Sequence, residues 1–198
     1  MDASLLLSMA GFALAMSISP GPVNLVALST GAQYGFCASL HHVVGATLGF
    51  ILLLLLMGLG LGAALSRWPM AAGTLHWGGI LFLCYMAWQL VMDGGRVERA
   101  DGKPPAFLYG ALMQWLNPKA WLAASMGMGA YGGAGGMGQI VSFTALYLVI
   151  CLGSIACWAY AGSCLQEALL KPRRLRWFNR SMALLLMFSA AYLGLAEG

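Results

Sequence analysis

Long stretches of the chain contain no charged residue and are filled almost continuously by apolar ones. The uncharged stretches cover residues 3–66, 68–92, 120–166 and 181–196, and about 20 apolar residues suffice to cross the hydrocarbon core of a bilayer. The pattern predicts an all-α membrane protein with six transmembrane helices. The predicted spans are about Ser4–Ser29, a stretch within Phe36–Leu65, Pro69–Met92, Ala106–Tyr131, Gln139–Leu165 and Trp177–Ala196.

A polar segment, Asp93–Pro105, is the one predicted linker, because it combines mixed charges with glycine and proline. It divides the chain into a first half, residues 1–92, and a second half, residues 106–198. Three spans in each half give the two halves opposite orientations in the membrane. This is the inverted-repeat plan of many secondary transporters.

Composition and charge support a membrane protein and argue against other classes. The 198 residues are 61% hydrophobic and only 8% charged, whereas soluble domains have about 25% charged residues. The loops are too short for a separate catalytic domain. We expect the chain to lie in a lipid bilayer and not to bind a nucleic acid. The net charge of +4 reflects topology, because most of the basic residues lie in two loop regions.

Basic residues also predict the orientation, since cytoplasmic loops carry an excess of Lys and Arg. Eight of the ten lysines and arginines fall on one side of a six-span chain, and only Arg67 falls in a loop on the other. The linker is therefore predicted to be cytoplasmic and both termini to lie outside. The eight residues are Arg96, Arg99, Lys103, Lys171, Arg173, Arg174, Arg176 and Arg180.

Helix-breaking residues occur at corresponding places in the two halves, within the first and the fourth spans. Proline removes a backbone donor, and unwound backbone inside a membrane is tolerated only where it lines a cavity. Paired breaks therefore indicate a substrate site near the middle of the membrane, although plain helix kinks are the alternative. The candidate substrate-binding residues are Pro20, Gly21, Pro22, Asn24, Gln114, Asn117, Pro118 and Lys119.

Lys119 is the most informative candidate, because it lies about a dozen residues into the fourth span, where a charge costs at least ~2.5 kcal/mol. All six acidic residues lie in loops or at span ends. Lys119 must therefore be neutral, hydrated, bound to free carbonyls, or paired with a group that comes and goes, such as a substrate carboxylate. The alternative is a lysine that extends to the membrane interface.

Two segments, Ser19–Leu25 with the glycines that follow it and Phe107–Ala120, resemble the LysE/RhtB family of amino-acid exporters. The resemblance covers nearly the whole chain. It implies a six-helix exporter of amino acids or similar small metabolites from the bacterial cytoplasm across the inner membrane. It also implies antiport driven by the proton gradient, and a homodimer.

The chain departs from this family at two places. Ala32, Gln33 and Tyr34 stand where members usually carry a basic residue, and Phe50 stands where they often carry an acidic one.

No cofactor and no metal site are expected. The adjacent His41 and His42 lack a third ligand, and the five cysteines include no C-x-x-C pair. Cys157 and Cys164 are the one pair that leaves a membrane thiol–disulfide relay open as an alternative function. A non-transporting membrane subunit is the other alternative.

Overall fold

The computed structural model describes residues 2–92, 105–132, 136–169 and 172–195, and in these ranges the chain forms helices and no strand. Their bounds are α1 Ala3–Ile18, α2 Pro22–Tyr34, α3 Phe36–Gly58, α4 Leu61–Ser66, α5 Pro69–Met92, α6 Phe107–Leu116, α7 Pro118–Tyr131, α8 Gly136–Leu169 and α9 Pro172–Leu195. The predicted all-α class is confirmed. Most of the predicted linker, residues 93–104, and Lys171 lie outside the described residues.

Three of the described helices are long and apolar enough to cross a membrane. They are α3, residues Gly73–Met92 of α5 and residues Gly136–Leu165 of α8. The pair α1 and α2 adds a fourth span if the two are counted as one helix bent by 61°. The larger count of six spans remains a prediction.

The helix α3 lies within the stretch predicted for the second span. It ends at Gly58, and after Gly60, which has a left-handed φ of 105°, the chain restarts as the short α4. The helix α9 begins at Pro172, earlier than the start predicted for the sixth span. Proline is favoured in the first turn of a helix and arginine propagates one well, so α9 includes the basic segment.

The long helix α8 lies at the centre of the structure and packs against α1, α2 and α3. The helix α3 also packs against α6 and α7. The helices α5 and α9 pack mainly against each other. The helices α1 and α2, which form the broken first span, thus pack on α8. The helices α6 and α7, which form the broken fourth span, pack on α3. This arrangement brings the two breaks together in the interior.

Glycines allow these helices to approach to backbone contact at one end of the bundle, where α2 ends and α6 begins. A Cβ atom on Gly31 would collide with the carbonyl of Ala159, and one on Gly45 would collide with the carbonyl of Phe107. Gly45 therefore allows α3 and α6 to approach closely. Small residues are the usual means of close packing between membrane helices.

Aromatic side chains form the contact between the helices toward the opposite end. The ring of Phe143 lies 5.1 Å from Tyr131 and 5.5 Å from Tyr147, and Phe50 lies 4.7 Å from Tyr147. Phe12 of α1 completes the cluster at 5.7 Å from Tyr131. The helices thus pack by different means toward the two ends of the bundle, through backbone contacts at one and through side-chain rings at the other.

Large apolar side chains cover the outside of the bundle, as expected for a surface in contact with lipid. Only 22% of the most apolar stretch of α5 is buried. Leu81 and Trp88 on this helix are more than half exposed. Phe188 of α9 is 74% exposed. Such a continuous apolar surface is incompatible with water and fits a protein embedded in a membrane.

We expect Gly31→Ala to lower the stability of the folded protein in detergent, because the added methyl group would meet the backbone of α8 and not a movable side chain. Overpacking of this kind costs about 1–3 kcal/mol. Gly11→Ala is the matched control, since a Cβ on Gly11 meets no atom within 4 Å. Thermal unfolding of the two variants in detergent makes the comparison, and equal melting temperatures would contradict the backbone contact.

Candidate functional site

The first helix break lies between Ile18, the last residue of α1, and Pro22, the first residue of α2. Ser19 and Gly21 adopt extended conformations there, so the helix is interrupted and not merely curved. Because Pro20 and Pro22 lack an N–H, the carbonyls four residues before each of them lose their helical donor. The plain-kink alternative is therefore wrong for this segment.

Side chains replace the donors that the prolines remove. The Ser19 hydroxyl donates to the carbonyls of Ala15, at 2.8 Å, and Met16, at 3.3 Å. The indole N–H of Trp158, on α8, donates to the carbonyl of Ile18 at 2.9 Å. Buried backbone groups in a membrane must be satisfied by the protein itself, and here a residue 140 positions away does so.

Asn24, in the first turn of α2, forms hydrogen bonds across this break. Its amide Nδ2 donates to the carbonyl of Ser17 at 2.8 Å and to that of Ser19 at 2.9 Å. Both amide hydrogens are therefore used, and Oδ1 is the remaining polar atom of the side chain. Asn24 thus holds the broken backbone in shape.

The second break is the single residue Asn117, which lies between α6 and α7 in an extended conformation. Its Oδ1 accepts the N–H of Lys119 at 3.1 Å and caps α7, and Pro118 occupies the first helical position. Pro118 has no N–H to donate to the carbonyl of Gln114, and the N–H of Asn117 donates to this carbonyl instead, at 3.2 Å.

The carbonyl of Trp115 is one of the groups that this break deprives of a helical donor, since the N–H of Lys119 is redirected to the Asn117 cap. The indole N–H of Trp121 donates to it at 2.8 Å. Nδ2 of Asn117 also lies 3.4 Å from Oε1 of Gln114. The second break is therefore completed by its own neighbourhood, whereas the first requires groups from α7 and α8.

Lys119 connects the two breaks. Its Nζ donates to the carbonyl of Ser19 at 2.6 Å and lies 3.4 Å from the carbonyl of Pro20. Of the four states that the sequence left open for this lysine, the structure shows the one bound to carbonyls. The side chain extends across to the end of α1.

Gly21 makes the approach of Lys119 feasible. A Cβ atom at Gly21 would lie 3.3 Å from Cδ and 3.4 Å from Nζ of Lys119, which is tighter than most such contacts. The φ of Gly21 is −168°, which any residue can adopt, so the requirement for glycine here is one of space. A larger residue would push the ammonium away from the carbonyls.

A small cavity lies where the two breaks meet. About 40 Å³ of it is accessible to the centre of a water molecule, which is room for a few waters. The first turns of α2 and α7 both border it, so two helix N-termini and the Lys119 ammonium supply positive charge to one space. Its lining residues are Met16, Ser17, Gly21, Val23, Asn24, Phe50, Gln114, Asn117, Lys119, Ala120, Ala123, Tyr147, Cys151 and Ile155.

The structure places all eight sequence candidates at this cavity or beside it. Gly21, Asn24, Gln114, Asn117 and Lys119 line the cavity. The three prolines form the breaks that border it.

Sequence reasoning missed the walls that other spans contribute. Tyr147, Cys151 and Ile155 line the cavity from α8, and their spacing of four residues places them on one helix face. That spacing was the available signal, although nothing distinguished it from an ordinary packing stripe. Ser17 was also missed, and its buried hydroxyl has no hydrogen-bond partner within the described part of the chain.

The two adjacent histidines of α3 differ sharply in environment. His41 is exposed, whereas His42 is fully buried against α6. Among the described residues neither ring nitrogen of His42 has a hydrogen-bond partner. Within the same residues no cluster of three His, Cys, Asp or Glu side chains could hold a metal ion.

Comparison with known proteins places this geometry in context. The model of the family described as LysE type translocator matches residues 14–197. The cysteine/O-acetylserine efflux proteins of Escherichia coli (strain K12) and Shigella flexneri are each 28% identical to the chain over 182 residues, covering 90% of it and 92% of their own length. No solved structure matches the chain.

We expect Asn24→Ala to destabilise the folded protein, because the part-buried carbonyl of Ser17 would lose its side-chain donor, whereas the carbonyl of Ser19 keeps Lys119. Leaving such a group unsatisfied costs about 1–3 kcal/mol. Gln33→Ala is the control, since Gln33 lies on the same helix and its amide donates only to the exposed Ser29 hydroxyl. Melting temperatures in detergent measure the difference. An Asn24→Ala variant as stable as the Gln33→Ala control would contradict the role of Asn24 in holding the break together.

Proposed function

The chain belongs to the LysE type translocator family, and from that membership we propose that it exports a small zwitterionic amino acid from the bacterial cytoplasm. A member of a translocator family is a transporter and not an enzyme. This excludes the thiol–disulfide relay, and it also excludes a subunit that does not transport. The observation that carries the substrate proposal is the contact of Lys119 with the carbonyls of the first break.

The Lys119 contact suggests how a zwitterion binds. A substrate carboxylate can take the place of the Ser19 and Pro20 carbonyls on the Lys119 ammonium. The substrate ammonium can then occupy the carbonyls that Lys119 leaves. The Lys119 ammonium and the carbonyls of the first break have partners before and after the exchange, so binding does not leave a buried charge unpaired, which would cost several kcal/mol.

The surrounding helices favour the same orientation of the substrate. The N-termini of α2 and α7 border the cavity and stabilise a carboxylate, and carbonyls at the C-terminal end of α1 stabilise an ammonium. Gln114 and Asn117 add neutral polar atoms to the cavity wall. Together these groups recognise the two charges that all amino acids share.

The size of the cavity favours a short side chain. Phe50, Tyr147 and Ile155 limit it, and its 40 Å³ must expand before any amino acid can enter. The efflux proteins that this chain resembles are named for cysteine and O-acetylserine. We propose a substrate of that size class, with the buried Ser17 hydroxyl available to its side chain.

We further propose six spans in two inverted halves, residues 1–92 and 106–198. Exchange of the halves would relate α1 with α2 to α6 with α7, α3 to α8, and α5 to α9. The observed packing fits this exchange: α1 packs on α8 as α6 packs on α3, and the pairs α3 with α8 and α5 with α9 map onto themselves. Transport would then proceed by rocking of one half against the other around the breaks.

The proposed orientation places the linker and the start of α9 in the cytoplasm and both termini outside. Exposed Arg173, Arg174 and Arg176 at the start of α9 support it. Proton antiport and a homodimer are also proposed, on the pattern of the resembling family. For the dimer, the exposed apolar faces of α5 and α9 offer a surface.

We expect Lys119→Met to reduce the initial efflux rate by at least about tenfold, because the variant lacks the cation for the carboxylate. Folding should change little, since Asn24 still donates to the Ser19 carbonyl. Lys119→Arg should rescue poorly, because the guanidinium is bulkier and cannot lose its proton. Efflux from proteoliposomes, measured against a panel of amino acids and divided by folded protein, tests this.

Arg67→Met is the matched control, because Arg67 is an exposed cation far from both breaks in sequence. It should transport at the parental rate. Parental efflux by Lys119→Met would refute the carboxylate role. A loss of folded protein equal to the loss of transport would instead make Lys119 a structural residue.

The orientation predicts the labelling of single cysteines introduced into a chain without its native cysteines. A cysteine at Gly94, in the linker, should resist an impermeant thiol reagent added outside intact cells. A cysteine at Gly198, at the C-terminus, should react. The reverse pattern would overturn the proposed orientation.

A further inference from the structure

A second space lies between α2 and α6, separate from the central cavity and at the end of the bundle where α2 ends and α6 begins. This vestibule is open and has a volume of about 500 Å³, more than ten times that of the central cavity. Its walls carry hydroxyl, amide and phenol groups. The lining residues are Val26, Ser29, Thr30, Gln33, Tyr34, Pro105, Ala106 and Tyr109.

The vestibule and the central cavity share the same two walls. Along α2 the lining passes from Thr30 and Val26 in the vestibule to Val23 in the cavity, one helical turn at a time. Along α6 it passes from Tyr109 to Gln114. Separation of α2 from α6 would therefore join the two spaces into one path.

His42 occupies the boundary between the two spaces. Its ring centroid lies 6.1 Å from that of Tyr109, which lines the vestibule, and the backbone of Val23, which lines the cavity, faces it from α2. A Cβ atom on Gly110 would lie 3.2 Å from its Nδ1. The imidazole thus lies at the interface of α2, α3 and α6.

Burial of His42 without partners is costly in this position. The side chain has no exposed surface, and neither Nδ1 nor Nε2 has a hydrogen-bond partner among the described residues. An unsatisfied buried polar group destabilises a fold, so an apolar residue of similar size would stabilise this contact between α2, α3 and α6. The chain instead has a polar ring where a polar substrate would pass.

We propose that the vestibule between α2 and α6 is the entrance through which the substrate reaches the central cavity, and that His42 is the residue that binds it in passage. The proposal rests on the transport function proposed above. When α2 and α6 separate, the imidazole can donate one hydrogen bond to a carboxylate and accept one from an ammonium. It then transfers the zwitterion from the polar vestibule wall to Lys119.

The entrance is tested by attaching a bulky maleimide to a single cysteine in the purified protein before reconstitution. Gln33→Cys, in a chain whose native cysteines are replaced, places the label in the vestibule. A chain that retains only Cys164 is the control, because Cys164 is exposed on α8 and does not line the vestibule. The label should lower transport of cysteine at least about tenfold at Gln33→Cys and leave the control unchanged.

The role of His42 is tested by His42→Leu, His42→Gln and the neighbouring control His41→Leu. His42→Leu should melt no lower than the parent, since it removes an unsatisfied buried group, and yet transport about tenfold more slowly, which corresponds to one lost hydrogen bond. His42→Gln should retain most of the parental rate, because an amide both donates and accepts. His41→Leu should be unchanged, since His41 is exposed.

Several results would overturn the proposal. If the labelled Gln33→Cys protein transports like its unlabelled form, the vestibule is not the entrance. If His42→Leu transports at the parental rate, or if both His42 variants lose stability and transport together, His42 is a packing residue. A parent protein that transports no amino acid would instead refute the transport function itself, and unlabelled protein provides that comparison.

Discussion

The structure depends on one constraint, which is that backbone carbonyls freed inside a membrane must find donors within the protein. The first helix break frees several carbonyls in a row, and the donors come from Ser19, Asn24, Lys119 and Trp158. Two of these residues lie on α7 and α8, far along the chain. The break is therefore one place where the second half of the chain contacts the first. The same contacts place a cation beside a cavity.

Under the proposed function, binding is an exchange of partners instead of the filling of an empty site. In the structure the Lys119 ammonium donates to a carbonyl at the end of α1. A zwitterion offers one group for the ammonium and another for the carbonyls. The carbonyl contact that stabilises the closed bundle is thus the contact that an amino acid would replace.

Much of the fold followed from the sequence, because uncharged stretches and helix breakers are local signals. The two breaks were predicted from proline and glycine, and Lys119 was singled out because it has no acidic residue near it in the membrane. The partners of the breaks could not be predicted, since the donation from Trp158 to Ile18 spans 140 residues. The burial of His42 could not be predicted from the sequence either, because its exposed neighbour His41 has the same local sequence context. Tyr147 and Cys151 resembled packing residues until the fold placed them on the cavity.

The most direct test of the central claim is the distance between the Lys119 ammonium nitrogen and the Ser19 carbonyl carbon, measured by solid-state NMR in bilayers. The chain has three lysines, and labelling lysine Nζ with ¹⁵N and serine carbonyls with ¹³C isolates this contact. The account predicts strong dipolar coupling without substrate and its loss when cysteine saturates the site. Coupling that is absent from the start, or that persists unchanged at saturating cysteine in a protein that transports it, would contradict the exchange.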